Sequence, residues 1–415
     1  MRVLHVITGL GAGGAEQQLR LLLRRLPVRC DVVTLTNPGS VAEGLRADGV
    51  HVTHLGMRGN RDLGALPRLT RLIRHGQYDL VHTHLYRACV YGRLAARLAG
   101  VRTTVATEHS LGAAEIEGRP LTVPTRALYL GTERLGTATV AVSETVARRL
   151  RDWGVPAERI HVVPNGIDAS HFRYDPQARL DVRARLGIPP DAFVVGGVGR
   201  LVPGKRFDAL VRAVAALPGV QLLLAGDGPE RTRLAALATE LGAADRVRLL
   251  GECDGDAGDG HRPDLTGHPA GHPAGHPAGH PTEMAGTCTV PHLLSAVDVF
   301  VSASREEAFG LAVIEALAAG LPVLHGPCPA VDDLPAHQSP GALRCDGSTD
   351  QLVAALRRQL AAGQRRQPPP AVVGHYDITR SGELLMEVYA GALARSADRY
   401  RTDPLHPVST EKARP

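Results

Sequence analysis

Aromatic side chains make up only 3% of this 415-residue chain. A surface that stacks unpaired bases needs many of them, so no nucleic-acid partner is expected. The six cysteines, Cys30, Cys89, Cys253, Cys288, Cys328 and Cys345, contain no Cys-x-x-Cys pair. That pattern argues against a disulfide frame or a cysteine-built zinc site and reads as reduced cytosolic thiols. No apolar run approaches the roughly 18 residues a membrane span requires. The opening Met1 to Thr8 is too short and too strand-like for a signal peptide. The expected location is the cytoplasm, with peripheral attachment to the inner face of the membrane as a variation. Lysine is nearly missing too: the 47 basic residues include only Lys205 and Lys412.

What is present is enough for substantial cores. Hydrophobic residues reach 44%, and the length suits two or three domains. Abundant Ala, Gly, Pro and Arg fit a GC-rich bacterial genome. Against that bias Lys205 stands out, as if its position needs a compact ammonium rather than a planar guanidinium. Charge is uneven: residues 1–172 hold 22 arginines against 14 acidic residues, while the remainder is slightly acidic. A basic first half suits an anionic partner, such as a phosphorylated acceptor or an acidic membrane face. Arg68, Arg71 and Arg74 recur every three residues around Leu69, Leu72 and Ile73. Such a face could rest on an anionic membrane, although a solvated helix is the plainer reading.

Short apolar runs alternate with longer amphipathic ones, which signals βα units and a parallel sheet. In the first half the predicted strands are 3–8, 31–35, 52–55, 80–84, 103–107, 139–142 and 161–163, with helices at 16–26, 66–74, 88–98 and 144–153. A second series has strands at 194–198, 222–225, 247–250, 299–301 and 322–324. Two doubly wound domains with a cleft between them follow, and ligands in such sheets bind beyond the carboxyl ends of the strands. The expected organisation is an acceptor domain over 1–172, a linker over 173–190 and a donor domain over 191–377. A helix over 378–394 would return toward the first domain, and 395–415 would be a flexible tail. Within the second domain, 252–289 is rich in Asp, Gly, His and Pro and repeats Gly-His-Pro-Ala. Its prolines forbid helix and its composition builds no core, so it reads as a disordered insertion. His268, His272, His276 and His280 could bind metal, but repeat expansion explains them better, and no metal site is expected.

Three segments carry chemistry. Thr8 to Glu16 is glycine-rich and joins the first strand to the first helix, where a backbone can approach a phosphate. As a mere tight turn it is about equally well explained. Gly199 to Asp208 follows a strand and projects Arg200, a bidentate fork, and Lys205, a point charge, which together can neutralise a diphosphate. Arg305 to Gly320 holds Glu307 and, eight positions on, Glu315, with Phe309, Gly310 and Leu311 between them. Gly310 and Leu311 fall where a helix begins, so its unpaired N–H groups suit a phosphate. The flanking carboxylates can accept hydroxyls on either side. That is the outline of a nucleoside diphosphate sugar.

Taken in order, Gly13-Gly14-Ala15-Glu16, His82-Thr83-His84, Glu108-His109-Ser110, Val142-Ser143-Glu144 and Pro164-Asn165-Gly166-Ile167-Asp168 precede Gly199-Arg200-Leu201 with Lys205. Ala225-Gly226-Asp227-Gly228-Pro229 and Glu307-Ala308-Phe309-Gly310 with Glu315 complete the series. This order resembles the retaining glycosyltransferases of family 4, over residues 1 to about 390 apart from the insertion. The resemblance implies the GT-B architecture: two Rossmann-like doubly wound parallel-sheet domains facing a central cleft. It implies a reaction in which a sugar leaves a nucleotide diphosphate donor for a hydroxyl acceptor, without a metal ion or other cofactor. Arg200 and Lys205 would hold the diphosphate, Glu307 the donor sugar and Glu315 the ribose. The backbone of Phe309, Gly310 and Leu311 would cradle phosphate and sugar. Gly13 and Gly14 would line the opposite side near the leaving phosphate, and His109 would contact the transferred sugar. Two departures are visible: Ala308 stands where glycine is frequent, and His325 to Asp333 replaces the usual small-residue turn and glutamate. Other readings are an inactive homologue serving as a partner subunit and a GT-B sugar-nucleotide epimerase. A dinucleotide oxidoreductase would leave the second phosphate constellation without a purpose.

Overall fold

The computed structural model describes residues 1–59, 62–112, 115–117, 119–253, 289–363 and 366–401. Most of the 252–289 insertion, including its four repeat histidines, and the end of the chain beyond 401 lie outside the described residues. Contacts divide the chain into two units. The first takes Met1–Gly11, Ala15–Asn165 and Ile378–Pro415; the second takes Ala12–Gly14 and Gly166–Asp377.

In the first unit the strands are β1 (Arg2–Ile7), β2 (Arg29–Thr34), β3 (His51–His54), β4 (Leu80–His84) and β5 (Thr104–Glu108). A short ribbon, β6 (Glu115–Ile116) and β7 (Arg119–Pro120), precedes β8 (Ala138–Ala141) and β9 (Ile160–Val162). Seven of these form one sheet in the order β3-β2-β1-β4-β5-β8-β9, and every pairing in it is parallel. Successive side chains of a strand point to opposite faces. On β1, Leu4 and Val6 pack with Leu69, Ile73 and Ala95. Val3 packs on the other side with Leu22, Val105 and, from the last helix, Leu385, Val388 and Tyr389. Helices thus cover both faces, which is why the strands read as nearly continuous apolar runs. That last helix spans Ile378–Arg401. The expected tail from 395 is therefore corrected in its first part: helix continues to Arg401, Arg395 Nη2 lies 3.3 Å from His161 Nε2, and 402–415 lie outside the described residues.

The second unit carries β10 (Val194–Val198), β11 (Gln221–Ala225), β12 (Val247–Gly251), β13 (Val299–Ser302), β14 (Val323–His325) and β15 (Ala342–Arg344). Their order is β12-β11-β10-β13-β14-β15, again all parallel. Val195, Leu222, Leu224, Val299 and Val301 form its core with Leu210, Val214, Leu234 and Leu356 from the helices. Counted along each sheet, both units place their first strand beside the fourth. The chain reverses direction of travel across the sheet at that point, so a crevice opens at the strands' carboxyl ends.

The linker expected over 173–190 is also corrected. Pro176–Arg185 is a helix, started by Asp175, whose carboxylate accepts from the N–H groups of Gln177 and Ala178 at 2.8 and 3.2 Å. Proline at the first helical position is favourable there, because its missing N–H would have been unpaired anyway. Arg183 is buried and donates to Asp298 at 2.8 Å, which ties the segment into the second unit.

Candidate active site

The loops that leave β10 and β13 meet because those strands are neighbours. After β10 comes Gly199 to Lys205; after β13 comes Ser304 to Gly310. Lys205 Nζ donates to Glu307 Oε1 at 2.5 Å, and Ser304 Oγ donates to the same oxygen at 2.7 Å. Both members of the ion pair are largely covered. The pair fixes a flexible lysine head in one place, while the second oxygen of Glu307 accepts no hydrogen bond from a described residue. Ser304 carries no motif in the sequence, and only the turn after β13 brings its hydroxyl to Glu307. Arg200 is exposed, and its guanidinium bonds to no described residue, so its five donors stay available to an anion.

Backbone bonds hold these loops in register. Gly199 N–H donates to Ala225 O at 3.0 Å, Leu201 N–H to Asp227 O at 2.8 Å, and Glu230 N–H to Leu201 O at 3.0 Å. Gly226 sits at φ 131°, and a Cβ there would collide with the Gly199 carbonyl. This explains the glycine of Ala225-Gly226-Asp227-Gly228: two strand-end loops approach closer than side chains permit.

The next helix spans Leu311–Ala318, preceded by Gly310 at φ 106°. A Cβ on Gly310 would strike Cys328 Sγ. Phe309 is buried edge-on against Tyr376, with ring centroids 4.9 Å apart. Its carbonyl accepts from Ala330 N–H at 2.9 Å and Cys328 Sγ at 3.4 Å. The segment His325 to Asp333 thus braces the turn that presents the first free N–H groups of the helix. Glu315 lies one turn further in. It keeps part of its surface, but the protein packed around it pushes its carboxyl up to about 7, and no described residue pairs with it.

In the first unit, His109 follows β5 directly. Its Nε2 lies 3.1 Å from His84 Nδ1, and His84 Nε2 lies 3.0 Å from His5 Nδ1. Burial lowers His109 to about 4 and His5 to about 3, and drives His84 well below the ordinary value. All three rings are therefore neutral near pH 7, so His109 can hydrogen-bond a sugar but carries no charge to a phosphate. His82 stands beside them, held by Tyr389 Oη at Nδ1 and Thr107 Oγ1 at Nε2, each at 2.7 Å. On the other face of β5, Glu108 accepts from Tyr129 Oη at 2.7 Å, and burial pushes it up to about 7. Gly13 and Gly14, at the start of the helix Gly14–Leu23, group by contacts with the second unit. A Cβ on Gly14 would lie 3.5 Å from Leu311 Cδ1 of that same unit, an ordinary van der Waals contact that an alanine could make.

Family models match in three stretches: Glycosyltransferase Family 4 over residues 12–171, and Glycosyl transferases group 1 over 179–259 and 257–362. The D-inositol 3-phosphate glycosyltransferase of Salinispora arenicola is 31% identical over 354 residues, covering 77% of this chain and 70% of that protein. The chain belongs to the family 4 glycosyltransferases. D-inositol 3-phosphate glycosyltransferase 1 of Catenulispora acidiphila is 32% identical over 304 residues, or 67% of this chain. That match spans 64% of the relative's own length, a little under two thirds. Among solved structures, Anabaena Alr3699/HepE in complex with UDP and glucose superposes with a TM-score of 0.76 at 22% identity, covering 94% of this chain and 99% of that one. Sucrose-phosphate synthase from Thermosynechococcus elongatus gives 0.64 at 21% identity, covering 97% and 98%. At such identities these structures speak for the fold, and the fold is GT-B.

Proposed function

We propose that this glycosyltransferase moves a sugar from a nucleoside diphosphate sugar to a hydroxyl acceptor, keeps the anomeric configuration, and needs no metal ion. The observation that carries the reading is the Lys205–Glu307 ion pair beside the unpaired Arg200, at the carboxyl ends of β10 and β13. In such a transfer the bond from the anomeric carbon to the diphosphate breaks, and negative charge develops on the departing oxygen. Arg200, Lys205 and the first N–H groups of the helix Leu311–Ala318 are fixed positive partners for that charge. Preorganised partners of this kind are commonly the largest single contribution to the rate. They also supply what a divalent ion would supply elsewhere, which is the support for metal independence.

Glu307 has two tasks in this reading: one oxygen holds Lys205, and the other accepts a donor-sugar hydroxyl. Glu315 accepts from the ribose, and Gly13 and Gly14 leave room for the phosphate. Neutral His109 bonds the transferred sugar. With no carboxylate assigned as a nucleophile, the acceptor oxygen attacks on the face the diphosphate leaves, and its proton passes to a departing phosphate oxygen. That route retains configuration. HepE with UDP and the inositol-phosphate transferases make uridine diphosphate sugars and phosphorylated polyols the first donors and acceptors to try. No described cysteine forms a disulfide, which suits a cytoplasmic setting. No described helix is long and apolar enough to cross a membrane. Contact with an anionic membrane would draw on exposed Arg71, because Arg68 is paired with Asp62 and Arg74 with the Leu98 carbonyl. The test is a screen of nucleotide sugars against hydroxyl acceptors, with and without EDTA, reading the anomeric coupling of the product. An inverted product, or activity lost to chelation, would refute the corresponding part. Turnover of the sugar nucleotide without any acceptor would favour the epimerase.

A further inference from the structure

Three imidazoles in the first unit form a continuous chain, His5 to His84 to His109, and both of its outer nitrogens are buried without a partner among the described residues. Those atoms are His5 Nε2 and His109 Nδ1. The register of β1 with β4 pairs His5 with His82 and Ile7 with His84, so the three histidines of these strands share one sheet face. A small cavity of about 10 Å³ lies at the far end, lined by Gln18, His84, Thr107, His109 and Asn165 among others. Gln18 is 1% exposed, and both its amide nitrogen and its amide oxygen lack a partner among the described residues. Buried polar atoms in folded proteins are almost always paired, so three unpaired ones around one cavity call for an occupant. The volume is about that of one water.

We propose that this cavity is a site for a single hydroxyl oxygen, held between Gln18 and His109 Nδ1, and that the chain running back to His5 fixes which partner His109 offers it. The inference rests on the reading of His109 as the residue beside the transferred sugar and deepens it. Each neutral imidazole carries one N–H and one bare nitrogen. Two ring-to-ring bonds among three such rings allow only two arrangements, because reversing one bond reverses the other. In one, every Nδ1 is protonated and His109 donates into the cavity. In the other, every Nε2 is protonated and His5 buries an N–H with nowhere to donate. Orphaned buried donors are rarer than orphaned acceptors, so the first arrangement holds. His109 then donates to the oxygen, and the Gln18 carbonyl accepts the oxygen's proton. The occupant is a water in the free protein or a sugar hydroxyl in the complex.

A bound metal is the competing account, since ligand atoms of His5, His82 and His84 lie within 4.8 Å of one another. Both nitrogens of His82 and both of His84 are already engaged in hydrogen bonds, which favours the chain.

Long-range proton–nitrogen spectra of the full chain with labelled histidine test this without any assay of turnover. The expected result is Nδ1–H in His5, His84 and His109 alike. His5→Phe should turn His84 and His109 into mixtures of tautomers together, and Gln18→Leu should shift His109 Nδ1 while leaving His5 in place. Adding UDP-glucose and then UDP alone separates the sources: a Gln18 amide shift specific to UDP-glucose assigns a sugar hydroxyl, and no such difference assigns water. An Nε2–H form of His109 in the unsubstituted protein would overturn the proposal, and this holds even if His5→Phe fails to fold. So would an unchanged His109 in His5→Phe, or stoichiometric Zn²⁺ uptake that displaces the ring-to-ring bonds. If no transferase activity is ever found, the tautomer pattern still stands or falls by itself.

Discussion

The two units share one strand order yet place opposite chemistry at the same point of it. At the junction of β10 and β13 the second unit collects cations, a carboxylate and close-packed glycine loops. At the junction of β1 and β4 the first unit collects neutral imidazoles, all kept uncharged by burial. A doubly wound sheet therefore fixes where a ligand is met and leaves open what is met there. In the function proposed above, the second unit's loops neutralise a diphosphate, and the first unit's recognise hydroxyls without presenting a charge.

The difference can be broken from the charged side first. Lys205→Ala should lower turnover by roughly 10²–10³-fold, by analogy with the loss of one preorganised donor in other charge-stabilising sites. Its melting temperature should fall only modestly, because Ser304 still donates to Glu307 and water reaches both members of the pair. Steady-state rates with a calorimetric melt check both. The next largest effect is Gly226→Ala, which forces a side chain against the Gly199 carbonyl at a positive φ. We expect about 1–3 kcal/mol of destabilisation by denaturant titration, together with weaker nucleotide binding, since the loops carrying Arg200 and Asp227 must part.

Glu315→Gln sharpens the comparison through pH. The folded Glu315 keeps its proton up to about 7, whereas the unfolded chain releases it near its ordinary 4.5. Between those values the folded state binds more protons, so the parent loses stability as pH rises. Glu108 contributes the same trend in both proteins and cancels. The variant's advantage in melting temperature should grow from pH 4.5 to pH 7 and level off above. A gap that stays flat across the window would remove the buried-carboxylate account. The smallest effect belongs to the neutral side: Tyr389→Phe deletes the hydroxyl bonded to His82 and should cost about 1 kcal/mol, read by chemical denaturation, with no change in KM for the donor.

Much of this was legible in the chain. The apolar runs located the strands of both sheets apart from β15 and the short ribbon, and those two are only two or three residues long. The loops with Arg200, Lys205, Glu307 and Glu315 stood out because glycines and charges punctuate strand ends. Partnership was harder to see. Lys205 and Glu307 are 102 residues apart, and only the adjacency of β10 and β13 makes them a pair. His5 reads as one polar residue in an apolar strand; the parallel register with β4 turns it into part of a chain. The helix Pro176–Arg185 was hidden by its polarity, since its stability comes from the Asp175 cap and the burial of Arg183 against Asp298.

Equilibrium binding of nucleoside diphosphates to the parent and to Lys205→Ala, by titration calorimetry on correctly folded protein, tests the charged site most directly. At least one of them should bind the parent, and the substitution should weaken that binding by at least about tenfold, the ~1.4 kcal/mol expected of a single charge-assisted contact. Equal affinity in both proteins would contradict it.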